Sequence, residues 1–187
     1  MKKQVIKRTR QGAYPVFLTI RMCHSDDIDE IMRLQEKLLE ELQPDDPSFY
    51  PTARQDNLAI LNEHAAIGCF ENSTLVAYLT LLCPDRSADC LGKDLSMPAS
   101  ELPYCATLDT VAVERAFRGN GLQRMLIRQA ESIARRKGMR HILATVSPVN
   151  TRSLQNFLAS GFSIYILKKK YNNLDRFILC KHLVEAD

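Results

Sequence analysis

Residues 108–123, LDTVAVERAFRGNGLQ, combine residue types that can grip an anion: a β-branched strand, then Gly119 and Gly121, then the start of an amphipathic helix. Free backbone N–H groups at a helix start are electropositive, and glycine lets a ligand approach the main chain, so such a turn suits a pyrophosphate. Two familiar grips do not fit the spacing. A nucleoside-triphosphate loop needs Lys then Ser or Thr after its second glycine, where this chain has Leu122 and Gln123. A dinucleotide GxGxxG would place its third glycine at Arg124, whose side chain blocks close helix-to-strand packing.

The hexapeptide Arg118-Gly119-Asn120-Gly121-Leu122-Gln123 resembles the Q/R-x-x-G-x-G/A motif of the GNAT acetyltransferase superfamily, departing only at Gln123, where the family has Gly or Ala. A second segment, Asn150, Ser153, Phe157, Gly161 and Phe162, is similar to the family's N-x-x-A-x-x-x-Y-x-x-x-G-F at matching spacing. Between them lie a helix, marked by Leu122, Met125, Leu126, Ala130, Ile133 and Ala134, and a strand over residues 141–146. The resemblance implies an α/β fold with a mixed, mostly antiparallel sheet, splayed between the family's fourth and fifth strands and carrying helices on both faces. It also implies acetyl-CoA as co-substrate and acetyl transfer to a primary amine by direct attack in a ternary complex. A non-catalytic acyl-CoA sensor is the alternative, raised by the departures at Gln123 and Phe157.

Residue by residue, the resemblance implies that main-chain groups of Val111 and Val113 pair with the pantetheine arm like an added strand. Arg118 opens the loop in which Gly119, Asn120, Gly121, Leu122 and Gln123 offer N–H groups to the diphosphate. Asn150 sits at a helix N-cap, either as a cap alone or as a cap that also bonds the pantetheine amide, with Ser153 and Phe157 one and two turns further along the same face. The family usually has a tyrosine at the Phe157 position to protonate the departing thiolate, and phenylalanine cannot. Tyr171, and after it Tyr165, could replace that acid or could simply pack. Asp109 is the candidate base, with an ordinary hydrogen-bonded strand aspartate as the other reading. A thiol of pKa about 8.5 leaves roughly 1.5 units uphill at neutrality, about 2 kcal/mol, whereas an alkylamine of pKa about 10.4 must lose a proton held by over 4 kcal/mol. The base therefore matters more than the acid.

Those groups must be positioned by the rest of a chain of 187 residues, long enough to bury roughly two-thirds of its unfolded surface. Residues 1–14 read as a flexible basic lead-in and 15–187 as a single acetyltransferase domain. Residues 16–22 alternate like a first strand. A helix follows, capped by Ser25 or Asp26, with Ile28, Ile31, Met32, Leu38, Leu39 and Leu42 on one face and its stop at Pro44. Thr52 reads as the cap of a second helix with Gln55 in capping-box position. Residues 65–70 and 74–83 read as a hairpin, and 84–103 as an irregular excursion.

Net charge is only +3, which does not point to a nucleic-acid partner, but its distribution is uneven. Residues 114–140 hold eight basic and two acidic side chains, and residues 25–46 hold nine acidic against Arg33 and Lys37. The acidic run, which includes Asp45 and Asp46, could attract a cationic amine or be a solvated helix face. Lys168, Lys169 and Lys170 read as an exposed strand end or as a contact for the cofactor's 3′-phosphate. Six cysteines without CxxC spacing suggest a reducing compartment, and four scattered histidines (His24, His64, His141, His182) give no ligand spacing, so no metal is expected. No apolar run is long enough to span a bilayer. The expected protein is cytoplasmic, without nucleic-acid or membrane partners, acting on a small-molecule or peptide amine, and a homodimer is allowed.

Overall fold

The computed structural model describes residues 1–43 and 46–183. Pro44 and Asp45, at the expected end of the first helix and in the acidic run, lie outside the described residues, as does the tail 184–187.

The basic opening is strand, not a loose lead-in. Lys2–Thr9 (β1) and Gly12–Met22 (β2) pair antiparallel from Lys2 opposite Thr19 to Thr9 opposite Gly12. Only Val5 of β1 is buried, so hydrophobic patterning could not reveal it. Specific polar contacts hold it instead. Lys7 pairs with Glu71 at 2.6 Å, Ile6 N–H donates to Asn120 Oδ1 at 2.9 Å, and Asn120 Nδ2 donates to the Ile6 carbonyl at 2.8 Å. The Asn120 side chain thus satisfies one residue of β1 as a neighbouring strand would, and it also bonds the Phe117 carbonyl. Asn120→Ala removes all three bonds and is expected to destabilise the protein by about 1–3 kcal/mol, checked by urea unfolding with an unchanged m-value.

The other strands are Ala65–Glu71 (β3), Thr74–Leu82 (β4), Cys105–Val113 (β5), His141–Val146 (β6), Ser163–Lys170 (β7) and Leu174–His182 (β8). They complete one sheet in the order β1-β2-β3-β4-β5-β6-β8-β7, antiparallel except for the β5–β6 pair. In β4, residues 75–81 are all buried, as a central strand covered on both faces requires. The helices are Ile28–Glu40 (α1), Arg54–Glu63 (α2), the single turn Leu91–Asp94 (α3), Leu122–Arg136 (α4) and Thr151–Leu158 (α5). On one face α4 sets Leu122, Met125, Leu126 and Ala130 against Ala77, Leu79, Ala106 and Leu108. On the other, α1 sets Ile31, Leu34 and Leu38 against Ala66, Phe70, Tyr78 and Ala112. Leu39, expected on the buried face of α1, is 40% exposed, and Leu34 packs there instead. The excursion over 84–103 carries a core of its own, in which Cys90 and Leu91 pack on Cys105, Leu143, Ile178 and Cys180.

All six cysteines are free and buried. The lysine run is neutralised within the chain, Lys168 and Lys170 on Asp94 and Lys169 on Asp175. His141 and His182, far apart in sequence, are cross-strand partners. With Cys180 they bring ligand atoms within 4.8 Å of one another, a grouping that sequence spacing could not show. Their ring nitrogens are engaged in a chain running from Glu101 through His141 and His182 to the Tyr165 hydroxyl. Among the described residues no helix is long and apolar enough to cross a membrane.

Candidate active site

Two irregularities in β5 build the site. The first is where its pairing stops. β5 and β6 run in register only from Cys105 opposite His141 to Leu108 opposite Ala144, after which β5 continues to Val113 with that edge open. The second is a bulge. Leu79 stands opposite Val111 and Leu81 opposite Leu108, so Asp109 and Thr110 together face the single Thr80. Simple alternation would send Asp109 and Thr110 to opposite faces. The bulge instead shifts the α4-facing positions from Ala106 and Leu108 before it to Val111 and Val113 after it. Asp109 and Thr110 are left to converge on one point, Thr52 Oγ1, at 3.3 and 3.1 Å.

The open edge presents main-chain groups. Glu114 N–H donates to the Val76 carbonyl, which marks that pair as hydrogen-bonded across β4 and β5. Antiparallel alternation then turns the N–H and C=O of Val111 and Val113 away from β4, toward the gap that β6 has left. The Val113 carbonyl is taken by Arg118 Nε at 3.1 Å, leaving its N–H available. Below this edge Gly119 and Gly121 adopt φ of 84° and 69°, the left-handed region that glycine occupies without a Cβ penalty. Gly121 is the N-cap of α4, and the first intrahelical bond is Met125 N–H to the Gly121 carbonyl. Among the described residues no hydrogen bond takes up the N–H groups of residues 119–124. Gly119 and residues 121–124 line a groove of about 1040 Å³ that runs from this loop past Val111–Val113 to Asn150 and Ser153, with Arg8, Arg115, Arg124 and Arg152 among its lining.

A smaller cavity of about 110 Å³ adjoins the groove and shares Ser48, Phe49, Val111, Asn150 and Ser153 with it. Asp109 lies in its wall. Three hydroxyls, from Thr52, Thr80 and Thr110, donate to the one oxygen Oδ2 at 3.1–3.4 Å, and Oδ1 has no donor among the described residues. Burial pushes the Asp109 carboxyl above the ordinary carboxylate range, against the opposing pull of those hydroxyls. Tyr171 also lines the cavity, its hydroxyl 3.0 Å from Thr145 Oγ1 and its phenol pushed up by burial. Its backbone has a φ of 46° and opens a turn of three consecutive left-handed residues, 171–173, a strained arrangement for a bulky side chain. The ring stacks on Tyr50 with centroids 5.1 Å apart.

The structure brings most of the expected site residues together and redirects several. Gln123 turns its side chain to α5, donating to Ser153 Oγ at 2.9 Å and accepting from Asn156 Nδ2 at 2.8 Å, so its departure from the motif braces two helices. The Asn120 side chain faces β1 rather than the groove. Asn150 caps α5 by accepting from Ser153 N–H and donates to the Ser48 carbonyl at 3.3 Å. Phe157 is buried edge-on to Phe162 and lines the small cavity, not the groove. Tyr165 points away from the site, bonded to His182. Thr52 does not cap α2, whose N-cap is Ala53 with no side-chain bond, because its hydroxyl is drawn to Asp109 and Thr110. Sequence reasoning did not single out Arg176 or Ser147, both buried and both lining the cavity. An arginine in a strand that otherwise reads as buried was the available signal.

Solved structures share this fold. The chain superimposes on yncA of Salmonella typhimurium, described as an acetyltransferase with its cofactor acetyl-CoA, at TM-score 0.68 and 20% identity over 91% of this chain and 96% of that one. Ard1 from Thermoplasma volcanium matches at 0.67 and 17%, over 90% and 99% of the two chains. The ribosomal-protein-alanine N-acetyltransferase of Brucella melitensis matches at 0.66 and 15%, over 88% and 99%. No curated protein matches in sequence. The family model for the acetyltransferase (GNAT) family matches residues 29–162, including β5, the glycine turn and α5, and the chain belongs to that family.

Proposed function

We propose that the chain transfers an acetyl group from acetyl-CoA to a primary amine while both are bound. The observation that carries this reading is the junction of the two spaces: the cavity holding Asp109 opens beside the long groove at Val111, Asn150 and Ser153. The groove fits the co-substrate chemically. Unpaired N–H groups and arginines suit a diphosphate, and the outward edge of Val111 suits an amide-bearing arm. When bound, acetyl-CoA supplies an activated thioester.

Asp109 Oδ1 is the free acceptor for a proton from the amine, directly or through a water. A base with a raised pKa suits that task near neutrality. The amine nitrogen forms its bond to the acyl carbon as the C–S bond breaks, and the sulfur leaves as thiolate or takes a proton from Tyr171. The Val111 N–H, on the open edge, faces the space where negative charge develops on the carbonyl oxygen. Tyr171→Phe removes at most the roughly 2 kcal/mol needed to expel a thiolate at neutral pH, so kcat is expected to fall by no more than about 30-fold with KM for the thioester unchanged. Steady-state kinetics checks this.

The overall test is thiol release across a panel of amines. Turnover that needs both substrates supports transfer. Tight thioester binding with no turnover of any amine would leave the non-catalytic sensor as the better reading, which Phe157 favours because it cannot give up a proton.

A further inference from the structure

Arg176 is 3% exposed, and its one hydrogen bond among the described residues runs from Nη1 to the main-chain carbonyl of Asp175 at 3.1 Å. A guanidinium does not deprotonate, so one buried without a counter-charge is a costly arrangement that structures retain only for a reason. Asp175, its neighbour in sequence, pairs with Lys169, and Lys168, its cross-strand partner on β7, pairs with Asp94. Asp109 makes no ion pair with it, its nearest partners being threonine hydroxyls. Ser147 follows the last paired residue of β6 and, like Arg176, lines the cavity. The β6–β8 register ends at Val146 opposite Phe177, and one further step places Ser147 opposite Arg176. The Ser147 hydroxyl is buried and has no hydrogen-bond partner among the described residues. Both side chains line the cavity that contains Asp109, and their strand positions put them on the same face of the sheet as Thr145 and Ile178.

We infer that Arg176 and Ser147 form a carboxylate-binding subsite, so that the acceptor is a small amino acid or similar zwitterion with its carboxylate on Arg176 and its amine at Asp109. A guanidinium fork beside a hydroxyl matches a planar carboxylate. The cavity, about 110 Å³ with a cation on one wall and a carboxylate on another, matches a short molecule carrying both charges. This assignment rests on the proposed acetyl transfer for its amine end only. The carboxylate end can be tested without turnover.

The kinetic test compares acceptors that share one amine and carry a free carboxylate, a carboxamide or a hydrogen. In the wild type the acid is expected to exceed the amide in kcat/KM by about 10²-fold or more, because a buried polar site rejects the analogue that leaves it unpaired. In Arg176→Gln the ratio is expected to fall to within about 3-fold of unity, with Arg176→Lys in between. Equal kcat/KM for acid and amide in the wild type, or an unchanged ratio in Arg176→Gln, overturns the subsite. The binding test is thermal shift of the wild type and Arg176→Gln with the same compounds in the presence of CoA. Carboxylates are expected to raise the melting temperature of the wild type only, and no carboxylate-dependent shift in the wild type also overturns the assignment. If no amine is turned over yet carboxylates still stabilise the wild type alone, the transfer reading fails and the subsite stands. Without ligand, Arg176→Gln is expected to melt at or above the wild-type temperature, where an arginine serving only the fold would lower it. Should that variant not fold, Ser147→Ala carries the test, with an expected loss of about 10-fold in acid-over-amide preference.

Discussion

Asp109→Asn is expected to lower kcat by about 10²- to 10⁴-fold, the usual range for removing a positioned base, while thioester affinity stays within about 3-fold. The variant keeps an acceptor oxygen for the three threonine hydroxyls and loses the group that takes the amine proton. Its pH behaviour separates this role from a structural one. Burial raises the Asp109 pKa, so the acid limb of kcat/KM in the wild type is expected above the ordinary aspartate range and is expected to vanish in the variant. The sign for stability is opposite to that for activity. A carboxyl whose folded pKa lies above its unfolded value favours the fold when protonated, and that contribution is lost as pH rises through the folded value. The wild type and the variant should therefore unfold alike below about pH 4, and the wild type should become the weaker of the two as pH climbs. Thermal melts across that range check the divergence. Equal loss of stability by the variant at every pH would mark Asp109 as a scaffold residue.

Gly121→Val addresses the other end of the ternary complex. A β-branched residue at φ 69° carries a left-handed penalty of roughly 1–2 kcal/mol, which the turn would relieve by moving its N–H groups. A hydrogen bond to a charged partner contributes about 1.5–3 kcal/mol, so displacing one donor is expected to weaken CoA binding by about 10- to 100-fold in calorimetry. Beyond its chain neighbours, no atom of the described residues lies within 4 Å of the position a Cβ would take at Gly121, so the penalty falls on the backbone and not on packing. A truncated thioester that ends at pantetheine lacks the diphosphate and is expected to bind both proteins equally. A variant that lost both ligands to the same degree would place the diphosphate elsewhere.

What the sequence revealed and what it hid follow from the range over which each signal acts. Gly119 and Gly121 were legible because a left-handed turn before an amphipathic helix leaves its mark on adjacent residues. Asn150 was legible as a cap for the same reason. β1 was hidden because Val5 is its only buried residue, and what holds it is a set of contacts to Glu71, Arg118 and Asn120, far along the chain. Thr52 looked like a helix cap because a threonine two residues before a helix fits that local pattern, and only the fold brings Asp109 within reach of it. Arg176 offered only the signal of an arginine in an apolar strand, and its burial follows once β8 is placed between β6 and β7. The tyrosine missing at position 157 was visible and Tyr171 was named as its substitute, but that Tyr171 lines the cavity stacked on Tyr50 depends on the turn between β7 and β8, which no local motif describes.

The bulge in β5 also limits how this chain can diverge. Upstream of it the even-numbered residues face α4, and downstream the odd-numbered ones do. Deleting one residue of the bulge would restore a uniform count and leave Val111 and Val113, each moved up by one, still facing α4, but only one side chain would then stand opposite Thr80. The packing on α4 would survive that loss, whereas the convergence of Asp109 and Thr110 on Thr52 would not.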